Sequence, residues 1–132
     1  HSSLYFSKYL APAMSEVGDG SIVFMSSVTA FKGNIGQLSY AATKSAMLGM
    51  SKTLSLELAR FGVRVNCIAP GFIETEMVNK VSEIALKKIK KTIPLKRFGH
   101  VDDVGHLAAF LISHKASYIT GQTFVVDGGL TA

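Results

Sequence analysis

A single cysteine, Cys67, stands in the 132 residues, and it lies inside an apolar run. One thiol can form neither an intrachain disulfide nor a metal knuckle. Cys67 therefore reads as a small buried hydrophobe, and no metal site is expected. No Asn-x-Ser/Thr glycosylation acceptor occurs either. Both absences point to a reducing compartment, the cytoplasm or an organelle matrix. Long apolar runs are missing too. The apolar opening, residues 4–14, is interrupted by Ser7 and Lys8 and is too short to span a bilayer. It lacks the basic start and cleavage pattern of a signal peptide. There is no initiator Met, so this opening reads as a helix entered part-way along, and the chain is expected to be part of a longer one. No membrane partner is expected. Aromatic residues do not interleave with the basic ones, and no nucleic-acid motif occurs, which argues against DNA or RNA.

Hydrophobic residues make up 48% of the chain and charged residues 17%, so it is apolar enough to bury a core. The net charge is +5. Much of it falls in one stretch: Lys80, Lys87, Lys88, Lys90, Lys91, Lys96 and Arg97. Such a run is either a solvated helix face or an attractor for a phosphate-bearing substrate or an acidic carrier protein.

Residues 4–16 predict a helix that stops at Gly18-Asp19-Gly20. Residues 21–26 (SIVFMS) predict a buried strand. Residues 28–38, with Gly33, Asn34 and Gly36, predict a loop. A long helix follows over 40–60, then a strand over 63–69 broken by Pro70-Gly71. Helices over 82–91 and 100–111 come next, the second with Asp102 and Asp103 at its positive end. A last strand is expected over 121–126. Strands alternating with helices predict βαβ units and a mostly parallel sheet. In the long helix, Met47, Met50, Leu54 and Leu58 share one face, and Ala42, Ala46, Gly49 and Leu56 widen the apolar or small-residue arc. So wide an arc predicts burial on two sides: against the helix's own sheet, and against a partner subunit or deeper in the monomer.

Tyr40 and Lys44 are four residues apart on that helix and project from one face, about 6 Å apart along the axis. An unassisted phenol ionises near pH ~10 and is a poor acid-base group near neutrality. A neighbouring ammonium favours the phenolate, which makes Tyr-x-x-x-Lys a sensible proton donor. Taken alone the spacing fits equally a surface lysine beside a half-buried tyrosine. Ser27 adds weight. It ends the first strand, and ligands in open α/β sheets bind at strand ends. A hydroxyl there can stabilise negative charge developing on a carbonyl oxygen. At the second strand end, Pro70-Gly71 shapes a tight exit, and the following amides and the Thr75 hydroxyl could bind a flat amide-bearing ring.

Ser27, then Tyr40-Ala41-Ala42-Thr43-Lys44, Arg64-Val65-Asn66, Pro70-Gly71, Tyr118-Ile119-Thr120-Gly121 and Asp127-Gly128-Gly129 together resemble the short-chain dehydrogenase/reductases. Within these, APGFIETEM, IPLKRFG and YITGQTFVVDGG are similar to the 3-oxoacyl-carrier-protein reductase group. The resemblance covers essentially the whole chain. It implies the later portion of a Rossmann-like, doubly wound α/β domain, with the dinucleotide-phosphate-binding part upstream of residues 1–132. It implies reduction of a ketone to a secondary alcohol, or the reverse, with a 3-oxoacyl thioester as the first substrate. NADP is the implied cofactor, with NAD as the alternative. Tyr40 would protonate the carbonyl oxygen, Lys44 would assist it and bond the nicotinamide ribose, and Ser27 would polarise the carbonyl. Pro70, Gly71, Ile73 and Thr75 would form the nicotinamide end of the cofactor site. The lysine-rich helix would cover the substrate, and the helix 40–60 would build a homodimer or homotetramer.

Three features depart from that pattern. No Gly-x-Gly-x-x-Gly turn occurs, and Gly18-x-Gly20 precedes a strand, the wrong side for a phosphate. The family's catalytic asparagine should fall just before His1. The turn Glu16-Val17-Gly18-Asp19 is acidic where carrier-protein reductases use basic residues; the lysines from Lys80 onward could replace them. Other readings are a reductase of a steroid, sugar, alkaloid or other small alcohol, a non-catalytic cofactor-sensing or scaffold member of the fold, or an assembly partner.

Overall fold

A computed structural model describes residues 2–75 and 81–132. His1 and Lys80 lie outside the described residues. The chain runs α1 (Ser2–Val17), β1 (Gly20–Met25), α2 (Thr29–Lys32), α3 (Leu38–Leu58), β2 (Val63–Pro70), α4 (Glu83–Thr92), α5 (Val101–Ile112) and β3 (Thr123–Val126). Single 3-10 turns follow α3 and α5. The strands form one parallel sheet in the order β1-β2-β3. The expected α/β class with a parallel sheet is therefore what the chain adopts.

Side chains alternate across the sheet, and each face carries its own core. On one face Phe24, Val63, Val65 and Cys67 pack with Ala11 of α1 and Leu58 of α3. On the other, Ile68 packs with Leu111 of α5 and Ala116. Helices on both faces bury β2 almost completely, and the two polar residues within it, Arg64 and Asn66, are engaged in hydrogen bonds to the end of α5 and to the last loop. Burial pushes the Cys67 thiol up, against a smaller opposing pull from the Ser26 backbone and Lys44. It is the inert small hydrophobe expected.

Three details differ from expectation. Residues 29–32 form a short helix inside the segment expected to be loop, closed by Gly33 at φ 70°. β3 begins at Thr123 rather than 121, because Gly121 takes φ 71° and its N–H donates to the Val65 carbonyl. The wide apolar arc of α3 is covered on one side only. Met47, Met50, Leu54 and Leu58 pack into the core. Ala42, Ala46, Gly49 and Leu56 are exposed, Leu56 at 82%.

The end of the chain also serves the sheet. Thr120 Oγ1 accepts the Val65 N–H at 3.0 Å. Asn66, fully buried, donates from Nδ2 to the Ile119 carbonyl and accepts from the Gln122 N–H. α5 starts with a capping box in which His100 and Asp103 bond each other's backbone N–H ends. Arg64 closes its other end, donating to the carbonyls of Leu111 and Ser113.

Candidate active site

β1 ends at Met25, and the chain then crosses the top of the sheet. The Ser26 N–H donates to the Ile68 carbonyl at 2.7 Å and the Val28 N–H to the Pro70 carbonyl at 3.0 Å. These bonds hold the exits of β1 and β2 side by side, so Ser27 and the Pro70-Gly71 turn share one end of the sheet. Ser27 is buried. Its Oγ accepts the Thr29 N–H at 3.2 Å and donates to Thr29 Oγ1 at 3.2 Å.

α3 is fastened to that strand end by two polar ties. Ser26 Oγ donates to the Lys44 carbonyl at 2.8 Å, and Lys44 Nζ donates to the Met25 carbonyl at 2.8 Å. The Lys44 ammonium stands 5.6 Å from the centre of the Tyr40 ring. Tyr40 is 46% exposed, with its ring open to an incoming molecule. The structure thus brings Tyr40 and Lys44 together and sets both beside the β1 exit that carries Ser27. Ser26 and the Met25 carbonyl, which make the connection, are not identifiable as site components from the sequence.

After Pro70, the Gly71 N–H donates to the Val126 carbonyl at 2.9 Å. Any side chain on Gly71 would meet Asp127 Cβ at 2.7 Å, so the β3 exit demands glycine there. Ile73 then forms a single parallel bridge to Gly99. The bonds are Glu74 N–H to the Gly99 carbonyl and Gly99 N–H to the Phe72 carbonyl, both 2.8 Å. In this pattern the N–H and C=O of Ile73 itself face away from Gly99. Phe72 and Phe98 stack edge to face, ring centres 6.3 Å apart, over the same staple. Thr75 follows, exposed. Gly99 belongs to the quoted IPLKRFG segment, yet the sequence alone assigns it no role. Its signal is steric: a side chain there would meet Ile73 Cδ1 at 2.6 Å.

A cavity of about 350 Å³ opens at Val28 and Thr29, the residues that follow Ser27; Ser27, Tyr40 and Lys44 do not themselves line it. Val28, Phe72, Ile89 and Leu130 give it apolar walls. Lys32 of α2 and Lys88 of α4 line it from different elements. The lysine-rich helix therefore does form one wall of a pocket next to the strand-end residues.

A family model described as enoyl-(acyl carrier protein) reductase matches residues 1–131. The chain is 47% identical over 121 residues to the 3-oxoacyl-(acyl-carrier-protein) reductase FabG of Thermotoga maritima, covering 92% of this chain and 49% of that protein. It is 46% identical over 125 residues to the acetoacetyl-CoA reductase of a Synechocystis species, covering 94% and 52%. A crystal structure from Sinorhizobium meliloti 1021, provisionally described as a short-chain alcohol dehydrogenase, superimposes with a TM-score of 0.90 at 34% identity, over 97% of this chain and 52% of that one. The chain belongs to the short-chain dehydrogenase/reductase family. It spans about half the length of the relatives it matches.

Proposed function

We propose that residues 1–132 form the later part of a single α/β domain in an NADP-dependent oxidoreductase that interconverts a ketone and a secondary alcohol, with a 3-oxoacyl thioester as its substrate. The observation that carries this reading is the Tyr40–Lys44 pair, tied by Ser26 and the Met25 carbonyl to the strand end that bears Ser27. The names of the Thermotoga and Synechocystis relatives, both reductases of 3-oxoacyl-type thioesters, support the substrate class.

The residues present fit the nicotinamide end of a dinucleotide. Gly71 keeps the β2 exit flat, and the outward N–H and C=O of Ile73 match the two polar ends of a carboxamide. Thr75 adds a hydroxyl. When bound, the nicotinamide supplies hydride to the carbonyl carbon. Ser27 turns its hydroxyl hydrogen from Thr29 towards the substrate oxygen and stabilises the charge that develops there. Tyr40 delivers the proton to that oxygen. Lys44 faces the phenolate left behind and favours it electrostatically. With one of its three hydrogens on Met25, it keeps two for a ribose hydroxyl.

The exposed strip Ala42, Ala46, Gly49 and Leu56 supports assembly with a second copy into a dimer or tetramer, because a side chain on Gly49 would meet nothing within 4 Å among the described residues. Among the described residues no helix is long and apolar enough to cross a membrane. We place the protein in a reducing compartment, the cytoplasm or an organelle matrix.

The test mixes the full-length protein with NADPH or NADH and a panel of ketones that includes a 3-oxoacyl thioester, and follows nicotinamide absorbance. Turnover of the thioester is expected, faster with NADPH. Tyr40→Phe is expected to lose about a hundredfold to ten-thousandfold in kcat, the usual worth of a positioned general acid. Undiminished turnover in Tyr40→Phe would sink the mechanism. Tight cofactor binding with no turnover of any carbonyl would favour the non-catalytic reading instead.

A further inference from the structure

The lysines around the cavity are not equivalent. Lys90 Nζ lies 5.0 Å over the Phe98 ring, and Lys96 Nζ donates to the Lys91 carbonyl at 2.8 Å. Both are engaged within the fold. Lys32 and Lys88, by contrast, have neither a carboxylate nor a hydrogen-bond acceptor among the described residues. The ion pair there is Arg97–Asp103, and the His100–Asp102 and His114–Asp19 contacts also lie elsewhere. Both lysines nonetheless line the cavity while remaining exposed overall. A lysine so placed can lay its stem along an apolar wall and keep its ammonium in water at the opening. The two come from α2 and α4, so they approach the opening from separate elements. Two cations without a partner among the described residues, lining an apolar pocket, suit a ligand whose chain is apolar or neutral and whose far end is anionic.

We propose that Lys32 and Lys88 form a clamp for a phosphate carried on the thioester tail of the substrate, with the acyl-bearing part of the chain running through the cavity towards Ser27. The proposal rests on the thioester reading above. Coenzyme A and the prosthetic arm of a carrier protein both bear such a phosphate, so either source satisfies the clamp. It also assigns the basic stretch of α4 a partner: Lys88 faces the ligand, and Lys87, which does not line the cavity, is part of a solvated face.

The test measures KM and kcat of the full-length enzyme with three substrates: a 3-oxoacyl-coenzyme A, the same acyl group on a carrier protein, and the same acyl group on phosphate-free N-acetylcysteamine. The variants are Lys32→Gln, Lys88→Gln and, as a control, Lys87→Gln. Lys32→Gln and Lys88→Gln are each expected to raise KM about fivefold to tenfold for the phosphate-bearing substrates with kcat unchanged, the size expected of a charge-assisted contact at a rim. N-acetylcysteamine thioester kinetics should not move, which also shows that the variants fold. Lys87→Gln should change none of them. Loss with both phosphate-bearing substrates supports the clamp; loss with coenzyme A alone supports it and identifies the free coenzyme as the source. Loss confined to the carrier-protein substrate would mean that the lysines read an acidic protein surface, and overturns it. Equal loss with all three substrates, or no loss, also overturns it. Failure of the parent reading looks different: the unsubstituted enzyme would then reduce some other ketone and none of the thioesters.

Discussion

The two halves of α3 are held in place by different physics. The later half is packed. Ser51, Ser55 and Leu58 are buried, and the buried hydroxyls are satisfied by the helix's own carbonyls at Leu48 and Lys52. The earlier half carries Tyr40 and Lys44 and buries no side chain fully. It is held by polar ties instead: Ser26 to the Lys44 carbonyl, Lys44 to Met25, and Ser45 Oγ to the Ala30 carbonyl at 3.2 Å. One half anchors the helix to the sheet. The other is left open to a ligand and is positioned by a few hydrogen bonds to the exit of β1. Stability and site geometry are therefore separable on a single helix, and substitutions at its two ends should behave differently.

The sharpest break comes at the packed end. Leu58→Ala removes a side chain from the core shared by Phe24, Val63 and Val65, and should cost about 2–4 kcal/mol of stability. Denaturant titration would register it as a lower midpoint, while kcat per folded molecule stays near that of the unsubstituted protein. A large drop in kcat with an unchanged midpoint would contradict the division of labour. At the open end the pattern reverses. Ser26→Ala deletes one tie and should cost only about 1 kcal/mol, the usual net worth of one hydrogen bond. It should nevertheless lower kcat by about three- to tenfold, because a reacting group displaced by a fraction of an ångström loses much of its advantage. Ser26→Thr, which keeps the hydroxyl, should restore most of the rate; a variant as slow as Ser26→Ala would show that the bond to Lys44 is not what matters.

This contrast also explains what the sequence could and could not reveal. β2 was legible because Val63, Val65, Cys67, Ile68 and Ala69 make a short, mostly apolar stretch that Pro70-Gly71 cuts off. The packed face of α3 was legible because Met47, Met50, Leu54 and Leu58 recur at helical spacing. The same periodicity marked Ala42, Ala46, Gly49 and Leu56 as apolar or small, but periodicity reports only a face and not what covers it; among the described residues nothing does. The four-residue helix α2 was hidden because its closure by Gly33 looks, in sequence, like any glycine-containing loop. Within the site, the spacing of Tyr40 and Lys44 is local and could be read. The tie between Ser26 and the Lys44 carbonyl joins residues eighteen apart through a backbone atom, and no residue pattern encodes that. Gly99 and Ile73 meet through a backbone bridge and escape sequence reading for the same reason.

The smallest expected effect separates polar from apolar anchoring by pH. Asp127 closes the chain end beneath Gly71. Its Oδ1 accepts the Gly129 N–H at 2.8 Å, and its Oδ2 accepts the Thr131 N–H at 2.8 Å and the Thr131 hydroxyl at 2.7 Å. Partial burial acts to raise its pKa, but these hydrogen bonds together outweigh it and hold the carboxyl below its ordinary range. A carboxyl whose folded value lies below its unfolded value of about 3.9 binds more protons when unfolded. Its stabilising contribution is therefore complete above that value and fades as pH falls through the lower, folded one. The midpoint difference between the unsubstituted protein and Asp127→Asn should be constant from neutrality to about pH 5 and shrink below about pH 4. Leu58→Ala, which removes only apolar contact, should give a difference that does not bend over the same range. If the Asp127→Asn difference ran parallel to that of Leu58→Ala down to the acid limit, the carboxylate would be contributing shape rather than charge at this turn.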